Sequence, residues 1–271
     1  MSDLKKLKTN PEYLSNVQYQ NSGNLSSRIQ IHQRFSTGQQ NWYEFVLELA
    51  KIKAGMTVLE LGCGSSALWR GNYVRLPESA SFFLSDLSCG MALEGRLALI
   101  SDKRFSYLAM NSMNIAFADE SFDLVIANHM LYHVPSVAHV LAEAKRVMKP
   151  EAVFMAATNS PEHMRDLDLL LGKFSKRLIG EHGMESAFNL LNGEKQLSEV
   201  FNSIVLHLYT SDLWVTDARL LTNYAYSTPL VMENLGDEGR SEMRAFFQRR
   251  IDHYGGISIR KETGVYLARN E

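Results

Sequence analysis

The chain has 271 residues, 45% hydrophobic and 21% charged, with a formal net charge of −2 at pH 7. This balance is typical of a globular protein with a sizeable core, and it excludes the basic surface with which proteins bind nucleic acid. No stretch reaches the roughly 20 apolar residues of a membrane span, and no signal-peptide pattern is present. Two cysteines, Cys63 and Cys89, are too few for a disulfide framework. We therefore expect a cytoplasmic protein that binds neither nucleic acid nor membrane.

The first 40 residues are polar, apart from a segment over residues 24–36 that carries Arg28, His32 and Phe35. Residues 41–52 follow with apolar side chains at helical spacing, and the pattern predicts an amphipathic helix packed on a sheet.

The most informative stretch is MTVLELGCGSSAL, residues 56–68. Its apolar start predicts a buried parallel strand. Gly62 and Gly64 allow a tight turn that leaves room for a ligand beside the backbone. Ser65 and Ser66 are natural N-cap residues for a helix that follows. A strand, a glycine turn and a helix in this order are typical of a nucleotide-type site.

Two kinds of cofactor fit the glycines. Gly62, Gly64 and Ala67 match the dinucleotide pattern G-x-G-x-x-G/A of NAD-dependent oxidoreductases. Glu60 argues against that alternative, since a carboxylate beside a pyrophosphate is repulsive but is favourable beside a cationic ligand. The order E-x-G-x-G resembles the first motif of class I methyltransferases that use S-adenosylmethionine (SAM), a cofactor with a sulfonium and an ammonium group.

The second predicted strand, residues 81–85, ends at Asp86. An acidic residue in this place is suited to accept hydrogen bonds from ribose hydroxyls. The alternative is a surface aspartate that caps the next helix, predicted over residues 88–99, although Ser88 is an equally good cap.

After a third strand at residues 104–109, the sequence from Asn111 to Val134 resembles later motifs of small-molecule methyltransferases. Asn111 stands where that family often has an aspartate for the adenine amino group, and an amide oxygen can accept the same hydrogen bond. The resemblance implies that Ser112 and Met113 flank the adenine.

The fourth strand, residues 123–127, leads into the polar stretch NHMLYH at the sheet edge where doubly wound folds place their ligands. If the reaction needs a base, His133 is our first candidate and His129 the second, because imidazole titrates near neutral pH. Tyr132 is expected to be a wall of the substrate pocket. The signature of enzymes that methylate nucleobase amino groups is absent here.

The resemblance, strong over about residues 50–160, implies an α/β fold with a Rossmann-like, doubly wound, seven-stranded sheet, mostly parallel with an antiparallel final hairpin. We expect one methyltransferase domain over residues 1–271, divided into a lid segment at 1–40, a SAM-binding core at 41–159, helical cap elements with one strand at 160–254 and a hairpin at 255–271. That hairpin is predicted from Ile257–Ile259 and Val265–Ala268, and the strand from Ile204–Tyr209.

The implied function is methyl transfer from SAM to a small-molecule acceptor, with no metal. The alternatives are a SAM-binding protein with a non-methylating reaction and a non-enzymatic partner protein. Neither the acceptor atom nor the oligomeric state, monomer or homodimer, follows from the sequence. We also hypothesise that residues 24–36 fold over the cofactor. The residues implied to bind it are Glu60, Gly62, Cys63, Gly64, Asp86, Leu87, Asn111, Ser112, Met113, Asn128 and His129.

Overall fold

The computed structural model describes residues 9–179 and 186–270. It contains nine strands: β1 Thr57–Leu61, β2 Ser81–Asp86, β3 Phe105–Ala109, β4 Phe122–Asn128, β5 Met148–Asn159, β6 Ser203–Tyr209, β7 Leu213–Val215, β8 Ile257–Ile259 and β9 Thr263–Arg269. The α-helices after residue 20 are α1 Gly23–Phe35, α2 Trp42–Ala50, α3 Ala67–Arg70, α4 Cys89–Ala98, α5 Val137–Val147, α6 Arg165–Phe174, α7 Gly193–Ser198, α8 Ala218–Tyr226, α9 Pro229–Leu235 and α10 Arg240–Tyr254.

Seven strands form one sheet in the order β3-β2-β1-β4-β5-β9-β6. Strands β1 to β5 pair in parallel, and β9 runs antiparallel to both β5 and β6. Each face is covered by its own buried cluster, one that includes the apolar stripe of α5 and one that includes α2 and Trp69. The Rossmann-like fold class predicted from the sequence is therefore confirmed.

The strands of the antiparallel pair differ from the prediction. Ile257–Ile259 does not pair with the last strand but with Leu213–Val215, in a separate two-stranded sheet. The last strand pairs instead with β5 and β6, and β6 precedes it by more than fifty residues. The reason lies in burial: Ile257 and Ile259 are apolar on the face that packs into the helical layer above the sheet. Sequence proximity of the two strands was a misleading guide.

A second layer covers the carboxyl ends of the strands, and we call it the cap: helices α1, α6, α8, α9 and α10 with the β7–β8 pair. Its buried cluster is separate from the two clusters on the sheet. Helix α1 contributes Ile31 and Phe35 to this cluster, so the cap is built from both ends of the chain. Within the described residues, no helix has the length and apolar character needed to cross a membrane.

Candidate active site

The glycine turn after β1 is shaped by two left-handed residues, Gly62 with φ +68° and Gly64 with φ +54°. A Cβ on Gly62 would lie 2.8 Å from the Cβ of Met130, so no larger residue fits without displacing the segment after β4. The N–H of Gly64 donates to Asp86 Oδ2 at 2.8 Å, and the N–H of Ser88 donates to Oδ1 at 2.8 Å. Asp86 therefore joins the ends of β1 and β2.

The helix predicted after this turn is only one turn long, Ala67–Arg70. Ser66 stands at its N-cap position with φ 59°, and its side chain makes no capping hydrogen bond, contrary to the prediction for Ser65 and Ser66. In contrast, Ser88 caps α4 by accepting from the N–H of Met91 at 3.2 Å. The role of helix cap is thus filled by Ser88, and Asp86 is not needed for it.

Glu60 is buried, with 2% of its surface exposed. Its Oε2 accepts a hydrogen bond from the indole Nε1 of Trp69 at 2.6 Å, and within the described part of the chain it forms no ion pair. Burial raises the pKa of Glu60, the hydrogen bond from Trp69 lowers it and the charge of Asp86 raises it, and the net result is a pKa of about 7. The site thus presents a buried carboxyl group that a cationic ligand would ionise.

The loop after β3 is held by Asn111, whose Oδ1 accepts from the N–H of Met113 at 2.9 Å. Asn111 and Ser112 line the site cavity described below, together with Met110. Met113 is not in the cavity wall and packs instead against the buried cluster on one face of the sheet. This placement does not favour the predicted contact of Met113 with adenine.

At the end of β4, two polar atoms are buried without a hydrogen-bond partner, Asn128 Oδ1 and His129 Nδ1. His129 has left-handed backbone geometry, with φ 59°, and its ring lies 5.0 Å from that of Trp42. Burial and, to a lesser extent, the neighbouring His133 together lower the pKa of His129 to about 4. Since buried polar groups normally have partners, the two atoms indicate a place for a ligand.

The following turn brings Tyr132 and His133 edge to face, with ring centroids 4.6 Å apart. His133 Nε2 lies 3.1 Å from the hydroxyl of Tyr19, which belongs to the segment before α1. The polar stretch predicted at the end of β4 is therefore in contact with the N-terminal segment.

One cavity of about 1980 Å³ lies between the sheet edge and the cap. It brings together the predicted residues Glu60, Gly62, Cys63, Gly64, Asp86, Leu87, Asn111, Ser112, Asn128, His129, Tyr132 and His133.

The cavity wall also contains residues that the sequence did not single out as a group: Tyr19, Arg28, His32, His163, Tyr224 and Lys261. For two of them, Arg28 and His32, the sequence did give a signal: each is a basic or imidazole side chain in an otherwise polar segment. Lys261 is 9% exposed, donates to Ser36 Oγ at 2.8 Å and has its pKa lowered to about 8 by burial.

The described residues contain no cluster of three or more His, Cys, Asp or Glu side chains that could hold a metal ion. Cys63 and Cys89 are both free thiols, the first buried and the second exposed.

Comparison with known proteins places these features in a family. Residues 59–156 match the model of a methyltransferase domain. Over 169 residues the chain is 29% identical to the ubiquinone/menaquinone biosynthesis C-methyltransferase UbiE of Legionella pneumophila, covering 61% of this chain and 66% of that protein. These matches support a class I SAM-dependent methyltransferase.

Other methyltransferases extend the comparison. The demethylmenaquinone methyltransferase of Bacillus velezensis is 29% identical over 153 residues, which cover 53% of this chain and 61% of that protein. The matched region thus spans just under two thirds of these relatives. The YcgJ protein of Bacillus subtilis has the same fold, with a TM-score of 0.57 at 14% identity, over 84% of this chain and 98% of the other.

Proposed function

We propose that this protein transfers the methyl group of SAM to a small-molecule acceptor that binds between the sheet edge and the cap. The observation that carries the proposal is that one cavity contacts both the glycine turn with Glu60 and Asp86 and the Tyr132–His133 pair. A pocket for one drug-sized ligand has about 300–1000 Å³. With about 1980 Å³, this cavity has room for a cofactor and an acceptor together.

The residues present fit SAM as the cofactor. Glu60 offers a buried negative charge to a cation, and Asn128 Oδ1 offers an acceptor without a partner to an ammonium group. Each oxygen of Asp86 accepts one backbone N–H and keeps a second lone pair for a ribose hydroxyl. When bound, SAM supplies a methyl carbon that its sulfonium already activates, so the protein's task is alignment and exclusion of water.

The relatives support a small acceptor molecule, because UbiE and the demethylmenaquinone enzyme are by name methyltransferases of quinone biosynthesis. We propose His133 as the base where the acceptor must lose a proton. His129 is less suited, since a pKa of about 4 makes it a weak base at neutral pH.

The cofactor assignment is tested by calorimetric titration with S-adenosylhomocysteine (SAH), with NAD as the competing ligand. We expect micromolar SAH binding that weakens about tenfold or more in Asp86→Ala, through the loss of charge-assisted hydrogen bonds. Gly62→Arg should abolish it, because the side chain would enter the cavity. Asp119→Ala is the control, since this aspartate is 74% exposed on the surface. Binding of NAD without binding of SAH would overturn the assignment.

The role of His133 is tested with the acceptor in hand, by the rate of SAH formation. We expect His133→Asn to lower kcat by about 100-fold or more, the usual contribution of a positioned base. SAH affinity should stay within about twofold. His139→Asn, at an exposed position of α5, serves as the control. Undiminished turnover in His133→Asn would remove this residue from the mechanism. If the protein binds SAM but forms no SAH, a non-methylating role is favoured.

A further inference from the structure

Arg28 lies in the wall of the cavity, on α1, and is held there by three hydrogen bonds. Its Nε donates to Ser227 Oγ at 3.0 Å and its Nη2 to the Ser227 carbonyl oxygen at 2.6 Å. Its Nη1 donates to the hydroxyl of Tyr19 at 3.2 Å. All three acceptors are neutral, and a guanidinium has five N–H donors, so two remain for another partner.

The positive charge of Arg28 has no carboxylate beside it in the described part of the chain. None of the ion pairs there includes Arg28. Burial lowers the pKa of Arg28 and its tyrosine neighbours raise it, with a net rise, and a guanidinium in a protein is not deprotonated in any case, so the group stays cationic. Asp168 also lines the cavity, and its charge raises the pKa of Tyr224.

The hydroxyls around Arg28 are suited to donate to an anion. Burial raises the pKa of both Tyr132 and Tyr224, so these two groups remain protonated at any physiological pH. A half-buried cation among neutral groups is costly in the absence of a counter-charge. The arrangement is therefore complementary to a negatively charged oxygen.

The neighbours of Arg28 place this charge on the acceptor side of the cavity. Tyr19 connects it to His133 after β4, and Ser227 belongs to the cap. None of these residues belongs to the glycine turn or the Asp86 segment. Leu167, Leu171 and Leu230 of the cap line the same cavity and provide an apolar wall.

We infer that Arg28, with the hydroxyls of Tyr19, Tyr132 and Tyr224, forms a subsite for an anionic oxygen of the methyl acceptor. The acceptor class is then an acidic small molecule, a carboxylate or an ionised phenol or enol, with an apolar body that packs against the leucines. This inference rests on the proposed function, because it assigns the second ligand of the same cavity.

The test compares acids with their amides, which have the same shape and no charge. Acetate, benzoate and 2-naphthoate are each titrated against acetamide, benzamide and 2-naphthamide by ligand-detected NMR, on protein saturated with SAH. We expect at least one acid to bind about tenfold or more tightly than its amide. The preference should disappear in Arg28→Gln and return in part in Arg28→Lys. Arg34→Gln, on the exposed face of the same helix, should keep it.

The outcomes separate the possible failures. If no acid binds more tightly than its amide to the wild-type protein, the inference is overturned without recourse to a variant. 5′-Methylthioadenosine lacks the amino-acid part of SAH. If Arg28→Gln lowers the affinity for SAH tenfold but leaves that for 5′-methylthioadenosine unchanged, Arg28 binds the carboxylate of the cofactor, and the inference is also overturned. Absence of SAH binding in the wild-type protein would be a failure of the proposed function instead.

Discussion

Glu60→Gln is expected to stabilise the ligand-free protein at pH 8 and to weaken SAH binding. The pKa of Glu60 is raised from 4.5 to about 7, so ionising this buried group above pH 7 costs about 3 kcal/mol of folding free energy. A glutamine removes the charge, and its amide oxygen can still accept from Trp69. We expect a gain of about 1–3 kcal/mol, and SAH affinity about tenfold lower because its ammonium loses a counter-charge.

The dependence on pH has a definite sign. Because the folded-state pKa is raised, the contribution of Glu60 to the free energy of unfolding is fully present below pH 4.5. It is lost as the pH rises through about 7. The difference in the free energy of unfolding between Glu60→Gln and wild type should therefore be small at pH 5 and largest at pH 8. Urea unfolding at pH 5, 6, 7 and 8 measures it.

Glu143→Gln is the matched control, with the opposite sign. Hydrogen bonds from Arg146 hold the pKa of Glu143 at about 2, and its Oε2 also accepts from the N–H of Ile115 at 2.9 Å. The contribution of Glu143 to the free energy of unfolding is present above pH 4.5 and is lost as the pH falls through about 2. Glu143→Gln should therefore be less stable than wild type at pH 7. A Glu60→Gln protein that is less stable at pH 8, or that binds SAH as tightly as wild type, would contradict the prediction.

Gly90→Ala is expected to detach the segment before α1 from helix α4. A Cβ on Gly90 would lie 2.2 Å from the carbonyl oxygen of Gln20, a backbone contact that no side-chain rotation can relieve. The same segment is held by the N–H of Ser22, which donates to Glu94 Oε1 at 3.2 Å. This segment leads into α1, whose Leu25 covers the glycine turn: a Cβ on Gly64 would lie 3.0 Å from Leu25 Cδ2. We therefore expect SAH affinity to fall by about tenfold or more, which corresponds to about 1.4 kcal/mol.

The measurements are SAH titration and limited proteolysis, with cleavage expected before α1 in Gly90→Ala. Gly172→Ala is the control: its Cβ meets only Cγ1 of Ile179 at 3.2 Å, and Ile179 is 63% exposed and free to rotate. If Gly90→Ala binds SAH normally and resists proteolysis, the N-terminal segment does not close over the cofactor.

The sheet was predictable because its signals are local. Apolar runs and the residues that follow them located β1 to β4 to within a few residues, and the order of glycines, Glu60 and Asp86 indicated the family. The positions of the predicted site residues in one cavity follow from the parallel sheet itself, because the carboxyl ends of its strands meet at one edge.

The cap could not be predicted, because its contacts join distant parts of the chain. Arg28 and Ser227 are 199 residues apart, and Lys261 and Ser36 are 225 apart. No periodicity within α1 indicates which helix will cover it. The same limit explains the wrong partner for Ile257–Ile259, where a short loop suggested a hairpin and burial in the cap decided otherwise.

The construction of the cap from both ends of the chain also bears on the order of events during synthesis. Helix α1 leaves the ribosome first, whereas its partners in α8 and β7 are made about 180 residues later, so contacts within the sheet have the shorter loops to close. The cap cluster shares no buried residue with the sheet clusters in the described ranges. Separately packed units are the ones that open locally in native proteins, so we expect the cap to open while the sheet stays intact and to give ligands a way into the cavity.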